Sequence, residues 1–304
     1  MSTPTIPVTA ALVKELRDRT GAGMGDCKKA LDAVGGDVEK AAEKLRIDGM
    51  AKADKKGGRT AAEGIIATAS NDQAIALVEV NCETDFVSKG EDFKALGETA
   101  ARLALKHRPA TLEALLTLKE GEQTLEEMRR VFVAKAGENT TIRRFEVVEK
   151  SGGALAQYLH GSRIGVVVAM SAGDIELAKD IAMHVAASSP RYLDASAVPA
   201  EVIDAERKII EAKVAKEDEE AVANGKAATK PEFLPKKIDG NLRKFLEEVT
   251  LLGQKFVKDD SQTVEKLLKS KNAGVARFVR LAVGEGIEKK QVDFAAEVAA
   301  ASQV

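Results

Sequence analysis

The sequence predicts an α+β fold: a helical head, two related strand–helix halves, and a protruding helical hairpin. Three observations carry this. Apolar residues recur at helical spacing through the first sixty positions, and strand-like runs then alternate twice with a single amphipathic helix. Residues 201–220, charged at twelve of twenty positions, keep only a narrow apolar seam. A length of 304 residues suggests about two domains at roughly 150 residues each, and the 44% apolar fraction is enough to fill their cores.

The head comes first. Leu12, Val13 and Leu16 form one short apolar face, Cys27, Ala30, Leu31 and Val34 a second, and Val38, Ala41, Ala42 and Leu45 a third. Gly21, Gly23 and Gly25 interrupt the first two helices, Gly35-Gly36 ends the second, and Asp37 is placed to cap the third. Lys55-Lys56-Gly57-Gly58-Arg59 reads as a linker. Up to Thr60 the chain carries 12 Lys+Arg against 9 Asp+Glu, so a slightly basic head stands on an acidic body. Such an asymmetry fits either an anionic partner or a solvated helix face.

Strand-like Ile65–Thr68 and Ala74–Val80 flank Asn71-Asp72, which fits a hairpin turn. A helix follows, with Phe93, Leu96, Ala100, Leu103 and Ala104 on one side. Further strand-like runs lie at Ile142–Val148, Ala154–His160 and Ile164–Met170, before a second helix carrying Ile175, Leu177, Ile181, Ala182 and Val185. The two units resemble each other. With Pro109 set on Pro190, Leu96 falls on Leu177, Ala100 on Ile181, Ala101 on Ala182 and Ala104 on Val185. From Val80 to Leu96 is 16 positions but from Val168 to Leu177 only 9, so the first unit holds about seven extra residues within Asn81–Gly90. Loops on a rigid scaffold are where function concentrates.

In the hairpin, Val202, Ala205, Ile209 and Ala212 step by three and four. Asn224-Gly225 and Pro231 to Pro235 make its loop, and Leu242, Phe245, Leu246, Val249 and Leu252 form the returning helix. A narrow seam needs covering, by the body or by a second copy of the chain. Phe278–Val283 reads as a strand, and Gln291–Ala301 as a short amphipathic helix. The expected divisions are residues 1–55 for the head, 60–150 for the first half, and 151–199 with 253–285 for the second half. The hairpin takes 200–252 and a C-terminal helical module 286–304.

Catalytic equipment is sparse. No Gly-x-x-x-x-Gly-Lys-Ser/Thr occurs, and Gly21-Ala22-Gly23-Met24-Gly25 has neither dinucleotide spacing nor a preceding strand, so direct nucleotide binding is not expected. His107, His160 and His184 are scattered without metal-ligand spacing, and no Gly-x-Ser-x-Gly elbow occurs. No cofactor, no metal and no catalysis by the chain's own groups is expected. A net charge of −2 and eleven aromatics argue against specific nucleic-acid binding. Cys27 and Cys82 read as reduced thiols, the longest uncharged stretch is too short for a membrane span, and no secretory signal is visible at the N-terminus. These point to a cytoplasmic, soluble protein. The residues that stand out are Thr84-Asp85-Phe86-Val87 in the inserted loop. Either Thr84 or Asp85 caps a helix and Phe86 enters the core, or an acid and an aromatic are held out to a partner.

Leu16-Arg17-x-x-Thr20-Gly21-Ala22-Gly23-Met24-x-Asp26-Cys27-Lys28-Lys29-Ala30-Leu31 and Asn81-Cys82-Glu83-Thr84-Asp85-Phe86-Val87 closely resemble the two signatures of bacterial elongation factor Ts. The resemblance continues in order through Gly137-Glu138-Asn139 with Ile142-Arg143-Arg144, His160-Gly161-x-Arg163-Ile164-Gly165-Val166, and Ala182-Met183-His184-Val185-Ala186-Ala187. It ends with Val283–Lys289 and Asp293–Val298. It implies a guanine-nucleotide exchange factor, not an enzyme, whose partner is the GTPase elongation factor Tu. It further implies a ubiquitin-associated-like three-helix head, two α+β halves with small antiparallel sheets, and a coiled-coil hairpin through which a homodimer would form. Carried over residue by residue, Asp85 and Phe86, framed by Thr84 and Val87, would enter the GTPase near its magnesium. Arg17, Met24 and Lys28 would touch its nucleotide domain, Gly137 would add a further contact, and His160 would face a different domain. The chain departs from the family at Gly25, where a second methionine is common, at Ala136, where a larger aliphatic is usual, and over 212–237. The alternative is a head that binds ubiquitin-like or nascent-chain partners, and a third reading is a structural RNA-associated protein.

Overall fold

The computed structural model describes residues 6–225 and 227–288. Among these are eleven α-helices and four small antiparallel sheets, an α+β architecture.

The head is α1 (Ala10–Thr20), α2 (Met24–Ala33) and α3 (Val38–Lys56). The Thr9 hydroxyl accepts from Leu12 N at 3.3 Å to start α1, and Asp37 Oδ1 accepts from Glu39 N and Lys40 N, both at 3.1 Å, to start α3. Gly21 ends α1 in a left-handed conformation, φ 68°. Val13, Leu16, Cys27, Ala30, Leu31 and Ala41 form the buried centre. The linker is shorter than the sequence suggests. With no proline between residues 38 and 56, α3 runs on through Lys55 and Lys56, leaving the break to Gly57-Gly58.

After the head come β1 (Glu63–Ser70), β2 (Ala74–Cys82), the single turn α4 (Asp85–Ser88), α5 (Glu91–His107), α6 (Leu112–Thr117), β3 (Lys119–Glu120), β4 (Gln123–Thr124), α7 (Leu125–Ala136) and β5 (Thr140–Glu149). Next are β6 (Leu155–His160), β7 (Ile164–Ala172), α8 (Ile175–Ser188), α9 (Ala200–Ala223), α10 (Leu234–Val249), β8 (Lys255–Phe256), β9 (Asp259–Thr263), α11 (Val264–Ser270) and β10 (Gly274–Ala282). One sheet has the order β1-β2-β5 and another β10-β7-β6. The β1–β2 turn forms because Asn71 Oδ1 accepts from Gln73 N at 2.9 Å and Ala74 N at 2.8 Å.

The two three-stranded sheets pack against each other. Ile66, Ile75, Leu77 and Val148 of the first meet Val167, Ala169 and Leu281 of the second. Each outer face is covered by helices. Phe93, Leu96, Ala100 and Leu103 of α5 and Leu125 of α7 cover Ile65, Val78 and Val80, while Leu177, Ile181 and Val185 of α8 and Leu267 and Leu268 of α11 cover Val166, Val168 and Met170. Layers on both faces explain why β2 is buried at every residue and reads as an apolar run broken only by Glu79 and Asn81. The internal repeat shows in the helix ends: α5 stops at Arg108, φ 48°, and α8 at Ser189, φ 49°, each followed by a proline. Six of the about seven extra residues lie between strand and helix. Residues 83–90 join β2 to α5, whereas Gly173-Asp174 alone join β7 to α8.

The head lies against α7, where Arg46 pairs with Glu127 at 3.6 Å and Asp54 with Arg130 at 3.3 Å. Gly49 permits the close approach, since a Cβ there would stand 3.1 Å from the Ala134 methyl. In the hairpin, Ile210 and Val214 of α9 bury against Leu242 of α10. The returning helix begins earlier than its apolar spacing indicates, because Pro235 sits in the first turn, where its missing N–H costs nothing. Leu252 lies beyond it and packs on the second half's core. The segment 253–273, which shows no clear period, holds β8, β9 and α11. The tail expected at Gln291–Ala301 lies outside the described residues. Among those described, no helix is long and apolar enough to cross a membrane.

Candidate functional site

The inserted loop is built around Thr84. Its hydroxyl oxygen accepts from Val87 N at 3.4 Å, capping the single turn of α4. Inside that turn, Ser88 is buried, its hydroxyl donating to Asp85 O at 2.9 Å, and Val87 packs against the first half's core. Phe86 points the other way and is 83% exposed, the highest value among the large hydrophobics described as exposed. A phenyl ring held in water by a capped turn does not contribute to folding through burial. Thr84 does cap a helix, as one sequence reading has it, but Phe86 does not enter the core. Asp85 is exposed, and its carboxylate accepts from Lys89 Nζ at 2.6 Å. That hydrogen bond keeps the Asp85 carboxyl below its usual pKa range, so it presents a negative charge.

Behind the loop, Cys82 is fully buried and its thiol donates to Thr84 O at 3.1 Å. Burial pushes this thiol's pKa up to about 12, which makes it inert. To one side, Glu63 of β1 accepts from Arg163 at 2.5 Å, and Ile66 N donates to Ser162 O at 2.8 Å. The β6–β7 turn thus borders the same shallow concavity as Thr84, Asp85 and Phe86. His160 ends β6 at the base of that turn, exposed, with the Tyr158 hydroxyl 3.3 Å from its Nδ1.

Gly137 ends α7 in the left-handed region, φ 77°, and the chain then turns through Glu138 and Asn139 into β5. Glu138 accepts both the Thr84 hydroxyl, at 2.8 Å, and Thr84 N, at 3.0 Å. Asn139 N donates to Glu83 at 2.5 Å, and its side chain donates to Arg59 O at 2.7 Å. Thr84, Asp85, Phe86, Val87 and Gly137 are therefore brought together, with His160 beside them. Arg17, Met24 and Lys28 stand apart on α1 and α2, all exposed, Met24 by 50%. A side chain at Gly25 would meet open space, so the departure there leaves the head's packing untouched. Ala136 is the last residue of α7.

Two important residues carry no role in the sequence reading. Glu79 is fully buried in β2 and bonded from four sides. Gly284 N donates at 2.7 Å, Arg144 Nε at 2.5 Å, Arg143 Nη1 at 3.1 Å and Asn81 Nδ2 at 3.1 Å. Burial raises its pKa, but the bonds from Gly284 and Arg144 outweigh this and hold it below the usual glutamate range. The signal was available as a lone acid inside the apolar run Ala74–Val80. Glu138 is the other; it stands in the Gly137-Glu138-Asn139 match, but no local pattern gives it a role, since its partner lies 54 positions away. His184 is a core residue, with Nε2 2.9 Å from Gln254 Oε1 and Nδ1 accepting from Val257 N at 3.2 Å.

A family model described as "Elongation factor TS" matches residues 83–285, from the loop's first glutamate to the turn beyond Glu79's network. The chain is 53% identical over 298 residues to "Elongation factor Ts" of Hydrogenovibrio crunogenus, covering 97% of this chain and 98% of that one. It is 54% identical over 297 residues to the protein of that name in Methylococcus capsulatus, covering 96% and 98%. With that of Thioalkalivibrio sulfidiphilus it shares 50% over 296 residues, covering 96% and 98%.

Proposed function

The chain belongs to the elongation factor Ts family, and on that footing we propose that it is a guanine-nucleotide exchange factor for the GTPase elongation factor Tu, acting in the cytoplasm during translation elongation. The observation that carries the reading is Phe86, an apolar ring presented to solvent beside the Asp85 charge on a clamped turn. GDP is held in such GTPases largely by phosphate contacts to backbone N–H groups, a lysine and magnesium. Phe86 as a wedge and Asp85 as a competing carboxylate would disturb the metal's coordination and the phosphate loop, with Thr84 and Val87 fixing the turn.

No covalent step is required, because exchange is linkage. A factor that binds the empty GTPase more tightly than its GDP form weakens GDP by the same ratio. For a nucleotide held at nanomolar affinity, about 12 kcal/mol, opposing a sizeable part calls for several anchors. We assign these to Arg17, Met24 and Lys28 on the head, Gly137 at the turn, and His160 at the β6–β7 hairpin. The chain itself holds no nucleotide or metal in this scheme, so catalysis of a chemical reaction is not part of it. We further read the head as ubiquitin-associated-like and the divisions at 1–55, 60–150, 151–199 with 253–285, 200–252 and 286–304 as the working units. A second copy would dock on the hairpin, where Ile209, Val222 and Phe233 are exposed; a monomeric mass by light scattering at every concentration would remove that element.

The experiment is release of labelled GDP from the GTPase with and without the chain. Acceleration that saturates with the chain's concentration supports the reading, and an unchanged rate at excess chain ends it.

A further inference from the structure

We propose that Glu138 is the positioning residue of the Asp85–Phe86 turn, a role that rests on the exchange reading for its functional consequence. A helix of four residues does not hold itself, because nucleation fixes several dihedrals for one hydrogen bond. Phe86, almost wholly in water, contributes nothing to its own direction. The direction must come from the residues on either side. Val87 and Ser88 anchor the exit of the turn inward. The entrance is Thr84, and there the Glu138 carboxylate takes two bonds, from the backbone N–H and from the hydroxyl.

Those two bonds act on different freedoms. The bond to the N–H fixes the backbone at residue 84, and the bond to the hydroxyl fixes the side-chain rotamer. With the rotamer fixed, Thr84 Oγ1 is aimed at Val87 N and closes the cap. Hydrogen bonds to a carboxylate are shorter and stronger than neutral ones. Glu138 is itself held. Gly137 O accepts from Lys56 Nζ at 2.5 Å, and Asn139 is buried, bonded through its N–H to Glu83 and through its side chain to Arg59 O. Glu83 in turn pairs with Arg59 at 2.9 Å. Residues 83 and 84 are thus both tied to one turn, and that turn is tied to the exit of α3. The ring's angle is set from the α7–β5 turn, about fifty residues along the chain.

Removing the carboxylate leaves every partner-facing side chain in place but frees the turn that carries two of them. Binding through the other anchors persists, while the step that requires the ring at one angle slows. Glu138→Gln keeps both contacts. Its amide oxygen accepts the Thr84 N–H, and its NH2 donates to the Thr84 hydroxyl oxygen.

The test uses the full-length chain. Labelled-GDP release from the GTPase is measured against concentration for the wild type, Glu138→Ala, Glu138→Gln and Thr84→Val. Amide hydrogen exchange over 83–89 is followed in each chain alone. In Glu138→Ala the maximal release rate is expected to fall on the order of tenfold, with the half-saturating concentration within about threefold of wild type. Amides 84–89 exchange faster in that variant, and Glu138→Gln stays within about threefold of wild type on both readouts. Thr84→Val, which keeps the backbone bond and loses the hydroxyl, falls between; it carries the test alone if Glu138→Ala does not fold, and wild-type behaviour in it would then overturn the role. The proposal is overturned by a wild-type maximal rate in Glu138→Ala, by a loss confined to half-saturation, or by equal damage in Ala and Gln, which would make Glu138 a charge that the partner touches. If the wild-type chain releases no GDP, the exchange reading falls by itself. Glu138's hold on the turn is then judged by hydrogen exchange, where unchanged protection in Glu138→Ala overturns it.

Discussion

Phe86→Ala separates a ring kept for a partner from a ring kept for packing. At 83% exposure the ring has little contact to lose in the free chain, so the variant's stability should lie within about 0.5 kcal/mol of wild type, as for ordinary surface substitutions. Seating the same ring fully in a partner's pocket is worth about 1.5–3 kcal/mol. At 1.4 kcal/mol per decade, that is a loss of roughly tenfold to a hundredfold in exchange efficiency. The assay is labelled-GDP release alongside a thermal melt of the factor alone. A melting temperature lowered by more than about 4 °C would show that the ring supports the fold. Wild-type release from a stable Phe86→Ala chain would show that the ring does not act on the partner. Either result would remove Phe86 as a partner-facing ring.

Other expectations follow from the same structure. Glu79→Ala leaves Arg143, Arg144 and Gly284 N without their buried acceptor, and should cost about 3–5 kcal/mol in urea unfolding. Because Glu79 binds its proton less readily folded than unfolded, its stabilisation is fully present above pH ~4.3 and is lost as pH falls below that through its lower folded value; Glu79→Gln should flatten this part of the pH–stability curve. The buried Cys82 thiol, with a pKa of about 12, should resist maleimide at pH ~8 in the native chain and react once the chain is unfolded. Native labelling at the rate of a free thiol would contradict its placement. Gly25→Met adds a side chain into open space, so the melting temperature should hold within about 2 °C while the half-saturating concentration for exchange falls. A destabilised variant would show that α2 is packed there.

What could be read from residues alone follows the range of the interaction that made it. The six strands of the two three-stranded sheets, with α5 and α8, are legible because each has one face or both in a core, and burial writes a period into the sequence; the short, largely exposed β3, β4, β8 and β9 are not. The repeat is legible through Pro109 and Pro190, which follow the left-handed ends of the two helices. The loop is legible by subtraction, since the second half lacks it. Residues 110–136 are less so: α6 and α7 are short or half-covered by the head, and their apolar positions answer to two neighbours at once. The orientation of Phe86 is not legible. It depends on Glu138, whose hold on Thr84 exists only once α7 has packed and β5 has paired with β2. Glu79's ties to Gly284 span 205 positions and leave only the oddity of an acid in an apolar strand.

Exchange on the partner is read by mixing the purified chain with elongation factor Tu carrying labelled GDP and timing its release with unlabelled nucleotide in excess. Release should accelerate with the chain's concentration, saturate, and be largely lost with Phe86→Ala. Release at the intrinsic rate under saturating chain would contradict the exchange function.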